Sequence, residues 1–71
     1  MTDGPLTPND IKTRLDVIRQ VAYDPDAAHF YQDDLYVEVL NAIALDNTTD
    51  PRECAALALH ANDIDFPRWY A

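Results

Sequence analysis

Apolar residues recur at helical spacing in three stretches, and each stretch opens on a capping residue followed by proline: Thr7-Pro8, Asp24-Pro25 and Asp50-Pro51. The first N–H groups of a helix lack intrahelical acceptors. Proline is therefore tolerated there, and the Thr or Asp before it can accept from the donors that follow. In the first stretch Ile11, Leu15, Ile18 and Ala22 share a face, with Val21 beside them, while Lys12, Asp16 and Arg19 lie opposite. Asp10 stands at the third helical position as a capping acid, and it precedes Arg14 by four, a spacing suited to an ion pair. This predicts a helix over about 8–22.

The second stretch predicts a helix over about 25–45 whose main stripe is Ala28, Tyr31, Leu35, Val39, Ala42 and Ile43. Tyr36 and Leu40 widen that stripe. At about 100° per residue, Phe30 and Val37 fall on nearly the opposite side, near Asp34 and Asn41, so the helix is apolar on two sides. Asn47-Thr48-Thr49 reads as a turn, and Asp50-Pro51-Arg52-Glu53 as a capping-box variant opening a third helix over about 51–61. Its inner stripe is Cys54, Leu57, Ala58 and Ala61, small enough for close helix approach, and Asn62 suits a left-handed stop. Residues 63–71 hold three of the seven aromatic side chains, Phe66, Trp69 and Tyr70. Burying an aromatic contributes about 1.5–3 kcal/mol, so Ile64, Phe66 and Trp69 are expected to fold back as a clasp on the bundle. The expected architecture is all-α: residues 1–71 as a single domain, a compact three-helix bundle with an aromatic C-terminal tail packed on it.

At 71 residues, with 48% apolar composition, the chain can build one small core and no deep cleft. The lone Cys54 has no internal disulfide partner, which fits a reducing compartment, and a cytoplasmic location is expected. No apolar run approaches the length of a membrane span, and Met1-Thr2-Asp3-Gly4 lacks the basic flank of a signal peptide, so neither insertion nor export is expected.

Charge changes the picture more. The net charge is −8, and between Gln20 and Pro51 Asp24, Asp26, Asp33, Asp34, Glu38, Asp46 and Asp50 stand against no Lys or Arg at all. Part of this is helix capping, since carboxylates favour helix N-termini. The surplus is Asp33, Asp34, Glu38 and Asp46. A field of this sign disfavours direct binding to nucleic acid or anionic membrane and attracts cationic partners within roughly 8 Å at physiological salt.

Candidate chemistry is sparse. His29 precedes Asp33 by four, but two ligands do not make a zinc site, and Cys54 and His60 lie on different faces; no metal or cofactor is expected. Asp33 and Asp34 diverge by about 100°, while Asp34 and Glu38 share an open face that offers neither burial nor a field to tune them. No catalytic residue emerges, and an enzyme is not expected. Cys54 reads as a small core residue. Two surfaces stand out. Phe30 and Val37 beside Asp34 either pack against a neighbouring helix, the slightly favoured reading for a central helix touched from two sides, or form an exposed strip rimmed by acid. Arg68-Trp69-Tyr70 reads first as part of the clasp and second as a recognition motif.

Asp26-Ala27-Ala28-His29, Asp33-Asp34-Leu35, Val39-Leu40-Asn41-Ala42-Ile43-Ala44 and Ile64-Asp65-Phe66-Pro67-Arg68-Trp69 resemble, in order and spacing, small acidic proteins of unknown function found in actinobacteria and their bacteriophages. The likeness covers residues 15–71. Such proteins often end in tryptophan, cysteine and alanine, whereas this chain ends Trp69-Tyr70-Ala71. The resemblance implies an intracellular, phage-borne accessory protein, and it carries no functional residue across.

The residues together point to a small acidic protein-protein interaction module, an accessory or inhibitor that binds a basic patch on a host protein. The partner face would comprise Phe30, Asp33, Asp34, Tyr36, Val37 and Glu38. Two rivals stand beside it. One is a nucleic-acid mimic that blocks a DNA- or RNA-binding enzyme with spaced carboxylates; the other is a homo-oligomeric structural subunit, such as a homodimer, with the second apolar side of the middle helix as its seam.

Overall fold

The computed structural model of the chain describes residues 4–67, in which three helices follow one another: α1 (Pro8–Gln20), α2 (Pro25–Ala44) and α3 (Pro51–Leu59). A 3-10 turn, His60–Asp63, extends α3. Each helix packs on the other two, which makes the three-helix bundle expected from the pattern. The 20 residues of α2 span about 30 Å at 1.5 Å per residue and set the 33 Å long dimension of the molecule.

All three caps form where proline marks them. Thr7 and Asp10 make a reciprocal capping box: the Asp10 N–H donates to Thr7 Oγ1 at 3.2 Å, and the Thr7 N–H donates to Asp10 Oδ2 at 2.9 Å. Asp24 accepts from the Ala27 N–H at 3.3 Å, and Asp50 from the Glu53 N–H at 3.0 Å. These last two caps run in one direction only.

The helix ends depart from the expected boundaries by a residue or two. The Val21 N–H is shared between the Val17 and Ile18 carbonyls, and the chain then turns so that the Asp24 N–H reaches Val21 O at 2.9 Å; α1 therefore stops at Gln20. At the end of α2 the Asp46 N–H donates to Ile43 O and the Asn47 N–H to Ala42 O, the paired bonds of a Schellman motif. Asp46 holds its left-handed position at φ 54°. Asn62, expected as a left-handed stop, lies inside the 3-10 turn instead, because the last turn of α3 tightens rather than reversing.

A single core runs through the bundle. Ile11, Leu15 and Ile18 of α1 meet Ala28, Leu35, Val39 and Ala42 of α2 and Cys54 and Ala58 of α3. Ile64 and Phe66 close it from below as the expected clasp, and Trp69 lies outside the described residues. Two positions on the expected stripe of α2 are corrected, since Ile43 as well as Tyr31 is exposed. Tyr31 sits at the surface and Gln32 is buried at 3% exposure. α2 faces the seam between its two neighbours, and this turns Gln32 inward, where its amide finds partners. Gln32 Nε2 donates to Tyr36 Oη at 3.0 Å and to Asn62 Oδ1 at 3.1 Å, so burial does not leave it unsatisfied.

The segment before α1 is also fixed. Leu6 is buried and pairs with Thr48 in an isolated parallel bridge: the Leu6 N–H donates to Asn47 O, the Thr49 N–H to Leu6 O, and Thr48 Oγ1 to Leu6 O at 2.9 Å.

Candidate interaction surface

The residues singled out on α2 do not form one patch. Their angular positions on the helix divide them among three directions.

Phe30 and Val37 point outward. They are 65% and 56% exposed, which overturns the slightly favoured expectation that they pack against a neighbouring helix. The reason is geometric: α1 and α3 take the two flanks of the core stripe, and none of the described residues covers the side opposite it. Phe30 makes an edge-to-face contact with Tyr31, with ring centroids 5.5 Å apart. Asp33 lies close by on the same outer side, and His29 Nε2 stands 3.4 Å from its Oδ2.

Asp34 and Glu38 lean toward α1, where Arg14 meets both. Arg14 Nη2 donates to Asp34 Oδ2 at 2.6 Å, and Arg14 Nη1 donates to Glu38 Oε1. Two expectations are corrected here. The Asp33, Asp34 and Glu38 face is not free of cations, since Arg14 of α1 crosses to it. Arg14 also does not pair with Asp10, whose carboxylate is taken by the capping box. One guanidinium between two carboxylates is a better electrostatic arrangement than a lone i,i+4 pair.

Tyr36 faces the third direction, toward α3. It is half-buried and borders an apolar groove of about 300 Å³ between α2 and α3. Leu40, Ile43 and Leu59 form its rim, with Ala55 and Asn62 on the α3 side. Leu40 is 66% exposed and Leu59 60%. The widened stripe of α2 contained Tyr36, Leu40 and Ile43, but Leu59 carried no signal of its own. The groove exists because Ala55 and Ala58 are too small to fill the space that larger side chains would occupy.

No group of three or more His, Cys, Asp or Glu side chains among the described residues is placed to hold a metal ion. Cys54 is fully buried, with its sulfur 3.3 Å from Thr48 Oγ1, while His60 is exposed. No helix among the described residues is long and apolar enough to cross a membrane. Comparison with protein-family models, curated proteins and solved structures finds no match to the chain.

Proposed function

We propose that this chain is a small, non-enzymatic interaction module that binds a basic patch on another protein through the outer side of α2. The observation that carries this reading is the exposure of Phe30 and Val37, 65% and 56%, beside the carboxylate of Asp33. Large apolar side chains held on a rigid helix next to a largely exposed carboxylate suit a partner with apolar and cationic groups: charge steers the encounter and apolar contact holds it. Asp34 and Glu38 contribute less than their number implies, because Arg14 offsets one of their two charges. Tyr36 would enter only where the contact extends toward α3. A cytoplasmic setting and a phage-borne accessory or inhibitory role complete the proposal, on the strength of the lone thiol and the resemblance in sequence.

The test is affinity capture from a bacterial lysate with the wild-type chain and with Phe30→Ser/Asp33→Lys, each confirmed folded by circular dichroism. The variant should lose the captured protein. Equal capture by both would remove the proposal. Competition by DNA for the captured protein would favour nucleic-acid mimicry instead, a reading weakened by Arg14, which draws two carboxylates out of the row that mimicry needs.

A further inference from the structure

The groove between α2 and α3 has the form of a bundle missing one helix. Tyr36, Leu40 and Ile43 form one wall, Ala55 and Leu59 the other, and the trough is open along its length. We infer that it receives a cationic amphipathic helix of the partner, which completes a four-helix arrangement; this rests on the interaction-module reading and adds the shape and the seat of the bound element.

Three observations select that occupant. The first is chemistry: the walls are apolar, so affinity must come from apolar side chains, and an amphipathic helix laid in a hydrophobic groove supplies them at i, i+3, i+4 and i+7. The second is charge. From Asp24 to Pro67 the chain carries ten carboxylates, Asp24, Asp26, Asp33, Asp34, Glu38, Asp46, Asp50, Glu53, Asp63 and Asp65, against one cationic side chain, Arg52. Asp34 and Glu38 lean toward α1 and share Arg14, which leaves eight of the ten carboxylates against Arg52. The groove's own lining is uncharged, so an entering helix meets the net negative field of the chain as a whole, which favours Lys and Arg on its exposed flanks. The same field opposes a second copy of this chain, since each copy brings a net charge of −8. The third is size. At about 300 Å³ the groove is at the lower limit for small-molecule sites, and those enclose most of the ligand surface, whereas this one is open.

The probe is a synthetic peptide of roughly 18 residues, five turns of helix, with Leu on one face and Lys on the other. Two controls accompany it: a Leu/Glu peptide of the same pattern, and a Lys/Ser peptide of equal charge without an apolar face. Titration calorimetry should give binding for the Leu/Lys peptide alone, with a gain in helicity. Amide shifts in the labelled protein should concentrate at Tyr36, Leu40, Ile43, Ala55 and Leu59. Ala55→Trp, which fills the trough, should weaken binding by about tenfold or more, and so should Leu40→Ser, a change at an exposed position that leaves the core intact. Tyr23→Ser, at an 86% exposed position outside both proposed surfaces, should leave peptide affinity unchanged.

Equal binding of the Lys/Ser peptide, full affinity in both groove variants, or a dimer in light scattering that Leu40→Ser returns to monomer would overturn the inference. The two proposals fail separately. Loss of the groove effect with lysate capture still sensitive to Phe30→Ser/Asp33→Lys sinks only the helix seat, whereas capture insensitive to that pair sinks the wider reading.

Discussion

Replacing Arg14 with Met should destabilise the fold modestly and, on the proposed function, tighten capture of a cationic partner. Met keeps most of the apolar stem and removes the guanidinium that bridges Asp34 and Glu38. The Arg14 side chain is 24% exposed and its acceptors 57% and 45%, so each ion pair belongs with solvent-screened pairs worth about 0.2–1 kcal/mol. Without Arg14, Asp34 and Glu38 face each other at i,i+4 as like charges, at a further cost of about 0.2–0.5 kcal/mol. The expected loss is about 1 kcal/mol. For a domain of this size that lowers the midpoint of thermal unfolding by roughly 4–8 °C. Circular dichroism melts in low salt measure it directly, and at 1 M salt, where the screening length falls to about 3 Å, the difference should shrink. In an Asp34→Asn/Glu38→Gln background the same replacement should cost almost nothing. An equal drop in that background, or one indifferent to salt, would refute the electrostatic account and leave lost packing as the cause.

Other substitutions probe the capping and packing argument. Thr7→Ala removes half of the reciprocal capping box at α1 and should cost about 1 kcal/mol in denaturant titration. Leu35→Ala opens a void at a fully buried position in the centre of the core and should cost about 2–5 kcal/mol, enough to leave a domain of this size partly unfolded at 37 °C by the same titration. Asp46→Gly relieves the left-handed strain at φ 54° while keeping both Schellman bonds, and should raise stability by about 0.5–1 kcal/mol, read as a higher unfolding midpoint.

What the sequence made legible was local. Thr7, Asp24 and Asp50 announced their helices because capping depends on neighbours within four residues, and Ile11, Leu15 and Ile18 announced their face because helical periodicity is an intrachain property. What it hid depends on how one helix is rotated against another. Gln32 and Tyr31 are adjacent on α2, and a rotation of a few tens of degrees decides which is buried. The outcome was settled by acceptors on Tyr36 and on the distant Asn62. Arg14 had a plausible partner four residues away in Asp10, and only the placement of α1 against α2 redirected it to Asp34 and Glu38. The groove escaped notice for a related reason: Ala55 and Ala58 promise close approach, yet the same small side chains leave a trough beside α2 that larger ones would fill. The two-sided apolar character of α2 was visible from the start, whereas the exposure of Phe30 and Val37 required the packed bundle.

The bond between Leu6 and Thr48 bears on the order of folding. It joins residues 42 positions apart, and closing a flexible loop of that length costs about 3 kcal/mol of chain entropy. Leu6 has no core to enter until α1 and α2 have docked, so before then three hydrogen bonds, worth about 0.5–1.5 kcal/mol each, at best roughly offset that cost. The pairing is therefore expected to form late on the folding route, read as a low φ value for Leu6→Ala. A contact made that late would work as a kinetic latch, and breaking it should speed the opening of the finished bundle with little change in the speed of its assembly.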